Sequence, residues 1–222
     1  MQISSEFKDH LSSPAEFIPT NWSEHLAKWV SNILSPPVLA LFGIFLAAQA
    51  IGSIAAWWWS SYYVLLTVAL PCGYIVWKVR RGEISDFHMR VRQERIRPML
   101  LMLACCIAAW STMLIAHAPT VLLLFATMGI LQVAFLLLVT LRWKISGHGT
   151  AIGSLAVFLW SIFGPMATPA VIAIPLVAWA RLRLNRHDLS QTIVGTLAGI
   201  VFMLAVLSWV ASVCQGVSLF CH

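Results

Sequence analysis

TVLLLFATMGILQVAFLLLVTLRWKISGHG, residues 120–149, carries both themes of the chain. The part Thr120–Leu141 has no charged residue. A helix of about 20 apolar residues spans a hydrocarbon core of about 30 Å. Arg142 and Lys144 then end the apolar run, and Ser146, Gly147, His148 and Gly149 follow before the next one begins. An apolar crossing therefore leads into a short polar segment that carries an ionisable ring.

The same alternation repeats outward in both directions. Apolar runs lie at Val30–Ile51, Ala55–Trp77, Met99–Ala118, Thr150–Phe163, Pro169–Ala180 and Leu189–Val213. Of the 222 residues, 60% are hydrophobic and 10% charged, against about a quarter charged in a soluble domain. The expected fold is all-α, a polytopic transmembrane helical bundle of six to seven spans. A β-barrel would show alternating segments of about ten residues instead. Residues 1–28 form a polar N-terminal segment in which Glu16–Trp29 is expected to be an interfacial helix. Residues 29–222 form one transmembrane domain, with loops 78–98, 142–149 and 181–191 as its polar centre. Pro36-Pro37 should bend the start of the first span, Gly52-Ser53 should turn the chain, and Gln132 should hydrogen-bond between helices.

The net charge is +6, but the cations are divided among loops between spans. Nucleic acid is therefore not an expected partner. Counting crossings puts the N-terminal segment and the three polar loops on one side of the membrane. All 14 lysines and arginines fall on that side, which the positive-inside rule makes cytoplasmic. The expected setting is an integral protein of the bacterial cell membrane, with N-terminus and polar loops in the cytoplasm. Cys72, Cys105 and Cys106 lie in apolar runs and read as packing residues, whereas Cys214 and Cys221 are near enough in sequence to pair. No spacing suits a metal or a cofactor.

The polar loops hold the chemistry. Ser146-Gly147-His148-Gly149 opens a helix, where unpaired N–H groups and the helix dipole favour an anion. Lys144 adds charge, and His148 can exchange a proton near neutrality. His187 sits in the corresponding place before the last span. Asp188 and Ser190 are suited to cap that helix, and the Gln191 amide, one turn on, is within reach of the His187 imidazole. In the basic loop, a helix would set Arg90 and Arg97 on one face with Glu94 between them, and arginine forks suit phosphate oxygens.

These three segments resemble the signature of the type 2 phosphatidic acid phosphatase superfamily, the integral-membrane lipid phosphate phosphatases. That signature reads K-x6-R-P, P-S-G-H and S-R-x5-H-x3-D. The chain has R-x6-R-P at Arg90–Pro98, I-S-G-H at Ile145–His148 and A-R-x5-H-x3-Q at Ala180–Gln191. The resemblance implies an enzyme that hydrolyses a lipid mono- or diphosphate, isoprenoid among the candidates, through a phosphohistidine at the cytoplasmic face. It implies His187 as nucleophile and His148 as proton donor and acceptor. Arg90, Arg97, Lys144, Ser146, Gly147 and Arg181 would hold the phosphoryl oxygens, without a metal or a cofactor.

The departure of consequence is Gln191, which stands where the signature has aspartate. An amide orients an imidazole but brings no charge, so Gln191 is the expected orienting residue and Asp86, Glu94 or Asp188 the acid that compensates. The alternative is a homologue with little or no turnover, serving as a structural subunit of a membrane complex.

Overall fold

The computed structural model describes residues 19–87, 89, 91 and 93–216, with side chains through 212. Among these the chain is helical and has no strand. The Cys214–Cys221 pairing lies outside the described side chains.

Helix α1 (Trp22–Ile33) is capped by Asn21, whose side chain accepts from the Glu24 N–H. It exposes Trp22, Trp29 and Ile33 and buries Ala27 and Ser31. A helix thus stands in the stretch expected to hold one, and it runs on to Ile33. Its buried edge packs on Ala180 and Leu184. Pro36 and Pro37 open α2 (Pro36–Ile51), where proline's missing N–H is harmless. The axis bends by 47° between α1 and α2, so the first apolar run is broken at its start, at Pro36-Pro37.

Gly52, at φ 71°, turns the chain into α3 (Ile54–Val64), and Ser53 caps that helix by accepting from Ala56. A π-turn over Leu65–Ala69 joins α3 to α4 (Leu70–Arg80), which carries Pro71 in its first turn. Proline removes one rung of the helical ladder, and the wider turn passes the register across that gap. Helix α5 (Ile96–Ile115) follows a single 3-10 turn at Gln93–Arg95. Helix α6 (Thr120–Thr140) follows a hairpin at His117.

One expectation about the basic loop needs correction. The chain stays helical to Arg80 and re-enters a helix at Ile96, so the loop is shorter than 78–98 and Pro98 lies inside the first turn of α5. The expected alignment of Arg90 with Arg97 involves Arg90, which lies outside the described residues. Glu94 is drawn to the Ser85 N–H and hydroxyl at 3.1 and 2.7 Å. Arg95 Nε donates to the Met89 carbonyl at 2.8 Å, with Met89 at φ 46°. These side chain–backbone bonds curl the loop on itself in place of a helix.

The last three helices are α7 (Gly147–Phe163), α8 (Thr168–Arg183) and α9 (Leu189–Gly216). The first two are longer than the apolar runs suggested, because capping groups and charged residues join the helix at the polar end. A straight helix through the 37 residues from Gly147 to Arg183 would part its ends by about 55 Å. Instead His148 and Arg181 both reach Ser31, so the chain reverses near Gly164 (φ 56°). Among the described residues, five helical stretches are long and apolar enough to cross a membrane, and the bent α1–α2 pair adds a sixth candidate.

Helices α7 and α9 run parallel and nearly touch. A Cβ on Gly149 would fall 2.8 Å from Thr196 Oγ1, one on Gly153 2.5 Å from the Thr196 carbonyl, and one on Gly199 2.1 Å from the Thr150 carbonyl. Helices in lipid associate through such small-residue contacts, since burial of apolar surface brings little there. The central core gathers Ile44, Tyr63, Met113, Leu122, Phe158 and Met203.

Candidate active site

Four separate parts of the chain meet at one end of this bundle. The start of α7 brings His148, the end of α8 brings Arg181, the α8–α9 turn brings His187, and α1 lies across them with Ser31. Ser31 is 2% exposed, Arg181 3%, His148 6% and His187 7%. The basic loop joins through an ion pair of 3.1 Å between Arg186 and Asp86.

Each arm is held locally. Ser146 Oγ accepts from the Gly149 N–H at 3.3 Å, capping α7. The Ser146 N–H donates to the Gln191 carbonyl at 3.2 Å, which ties the second motif to the third. His148 Nε2 is 3.1 Å from the Ser31 carbonyl. A carbonyl only accepts, so this nitrogen carries the proton. The Ser31 hydroxyl in turn accepts from Arg181 Nη1 at 2.8 Å. Arg181 Nε is buried with no hydrogen-bond partner among the described residues, a donor held ready for an acceptor.

His187 Nδ1 is 3.0 Å from Gln191 Oε1. Burial, and then the charge of Arg181, lower its pKa to about 3; Arg95 and Lys144 act in the same sense, and the Gln191 hydrogen bond opposes them. At neutral pH the imidazole is therefore uncharged, as a nucleophile must be. Asp188 is held below the usual carboxylate range, first by the Ser190 hydroxyl and then by the Gln191 N–H.

The structure thus brings together His148, His187, Lys144, Ser146, Arg181 and Gln191, with Gly147 beside them. It does not bring Arg97 in. Arg97 is exposed, and its charge acts on Glu83. Arg90 lies outside the described residues. Among the described arginines of the basic loop the buried one is Arg95, whose charge acts on both Arg181 and His187. Sequence reasoning missed Arg95 because its neighbours fitted the motif better. It also missed Ser31, which carries no local signal. The glycine pairs Gly149/Gly153 and Gly195/Gly199 were a readable signal: four-residue spacing of glycines marks a close helix contact.

With this geometry in view, the family comparison is specific. The family model of the PAP2 superfamily matches residues 137–213, which contain the second and third motifs and leave the basic loop outside. The resemblance read from the motifs is borne out as a similarity over these residues: residues 137–213 are similar to the PAP2 superfamily, whose members are phosphatases acting on phosphate esters. No curated protein and no solved structure matches the chain. The apolar helices around this site are those of an integral membrane protein.

Proposed function

We propose that the protein hydrolyses a lipid mono- or diphosphate, with a prenyl diphosphate as the leading candidate, through a phosphohistidine on His187. The observation that carries this reading is the convergence of two buried histidines on Arg181, whose Nε is an unpaired buried donor. Arg181, Lys144 and Arg95 hold the phosphoryl oxygens and spread the charge of the transition state.

The His187 Nε2 lone pair attacks phosphorus, and the P–O bond breaks with its electron pair going to the leaving oxygen. His148, as the imidazolium, gives that oxygen a proton and is left neutral. It then takes a proton from the water that attacks phosphorus, the P–N bond breaks, and inorganic phosphate leaves with His187 restored.

Beneath the site, a cavity of about 150 Å³ is lined by Gly147, Leu136, Gln132, Phe125 and Tyr63 among others. Gln132 lines this space and, among the described residues, makes no hydrogen bond between helices, contrary to expectation. An apolar tail fits such a lining. The described lysines and arginines lie at the polar end, and by the positive-inside rule the headgroup is taken from the cytoplasmic side.

Purified protein should release phosphate from one member of a panel of phosphatidate, phosphatidylglycerol phosphate and prenyl diphosphates. His187→Ala should abolish both release and the acid-labile phosphoprotein. Equal release by wild type and His187→Ala overturns the reading. A second reading, an accessory subunit without turnover, draws on Ser31, which occupies both His148 and Arg181. It predicts no release across the panel and co-purification at fixed stoichiometry.

A further inference from the structure

Three acids lie near enough in sequence to compensate for the amide at position 191, and the structure separates them. Glu94 is taken up by Ser85. Asp86 faces Arg186. Asp188 alone meets Gln191 directly, and its two oxygens divide the work. Oδ1 accepts from the Ser190 hydroxyl at 2.6 Å and from the Gln191 backbone N–H at 2.8 Å. Oδ2 accepts from Gln191 Nε2 at 2.7 Å. The Gln191 Oε1 then faces His187 Nδ1 at 3.0 Å.

We infer that Asp188 is a positioning residue that acts through Gln191 to set which nitrogen of His187 is the nucleophile. This rests on the proposed phosphatase reading and deepens it. An ionised carboxylate only accepts hydrogen bonds, so it fixes the amide with its NH₂ toward Asp188. That turns the amide oxygen toward the ring. An oxygen acceptor there requires the proton on Nδ1, which leaves the lone pair on Nε2. The pair Asp188–Gln191 thus does in two hydrogen bonds what one carboxylate does by touching the ring. What it does not supply is a full charge in contact with the imidazole. Asp188 immediately precedes α9 and Gln191 lies in its first turn, three positions on, so the start of the helix sets their spacing.

A plain helix cap would explain the Asp188 contact with the Gln191 N–H but not the contact with its side chain. The test separates the two roles. Protein with ¹⁵N-labelled histidine, in detergent, is examined by long-range ¹H–¹⁵N spectra for the His187 tautomer. Wild type should show Nδ1–H. Asp188→Asn keeps a good cap, yet its side chain both donates and accepts, so Gln191 can turn over. The variant should show mixed tautomers, with kcat lowered about 10- to 100-fold and KM little changed, a smaller loss than the roughly 10⁴ for a direct carboxylate partner in serine proteases. The double variant Asp188→Asn/Gln191→Glu puts the carboxylate against the ring with the amide behind it. It should recover both the Nδ1–H tautomer and most of kcat.

An unchanged tautomer and unchanged kcat in Asp188→Asn overturn the inference while leaving the phosphatase intact. So does a loss of melting temperature with no tautomer change. A tautomer that responds as expected in a protein that releases no phosphate from any substrate supports the positioning role and overturns the phosphatase reading instead.

Discussion

Ser31 and Arg181, 150 residues apart in the chain, meet through a 2.8 Å hydrogen bond in which the guanidinium donates to the hydroxyl. The same serine's carbonyl takes the His148 N–H. One residue of α1 thus occupies, with its hydroxyl and its carbonyl, the two groups a phosphoryl oxygen would seek. On the proposed reading, substrate has to compete with Ser31 for Arg181.

Ser31→Ala should make that competition visible. It leaves a further buried arginine donor unpaired, at a cost of about 1–3 kcal/mol, so the melting temperature of the free protein falls. Orthovanadate, a phosphate analogue, should then raise the melting temperature of Ser31→Ala by more than it raises that of wild type. Equal shifts would show that Ser31 does not stand in the anion's place.

Arg95 and Arg97 should differ. Arg95 is buried, and its charge acts on His187 and Arg181, whereas Arg97 is exposed beside Glu83. A hydrogen bond to a charged group is worth about 1.5–3 kcal/mol, so Arg95→Gln should raise the inhibition constant of inorganic phosphate by about tenfold or more. Arg97→Gln should raise it no more than about fivefold, the scale of an exposed charge. Inhibition assays on the two variants decide the order.

Gly199→Ala tests the contact on which both histidine arms rest. The added carbon would lie 2.1 Å from the Thr150 carbonyl, so α7 and α9 must part. Overpacking of this kind costs about 1–3 kcal/mol, and melting temperature and phosphate release should fall together. Gly73→Ala, in α4, meets nothing within 4 Å and should stay within about 0.5 kcal/mol of wild type. Melting curves in detergent compare them.

The pH dependence follows from His187. Its pKa falls on folding from an ordinary value of about 6.5 to about 3. The unfolded chain therefore binds this proton more readily. The stability that comes from keeping His187 neutral is complete above pH 6.5 and is lost as pH falls toward 3. Its ¹⁵N signals in the free protein should not titrate between pH 8 and 5. Between pH 6.5 and 4, wild type should lose more melting temperature than His187→Gln.

Much of this architecture is legible along the chain. Thr120–Leu141 and its companion runs announce the crossings, and Gly52 and His117 announce hairpins. The spacings Ser146-Gly147-His148 and Arg181-x5-His187 locate the polar centre. Boundaries were less legible, because helix ends are set by caps such as Ser146 and Asn21, which override the edge of an apolar run. The basic loop misled for a related reason. Its periodicity suggested a helix, but Glu94 and Arg95 found partners in Ser85 and Met89, and those bonds rather than spacing chose which arginine is buried.

The sequence by itself determined that this chain lives in a bilayer and that two histidine segments leave it on the same side, because hydropathy and crossing parity are additive along the chain. Only the tertiary structure decided that Ser31 joins His148 to Arg181, that Arg95 turns inward, and that Asp188 reaches His187 through Gln191. Hydrogen bonds depend on distance and direction between groups that the chain order leaves unconnected, and no reading of residues one after another contains that geometry.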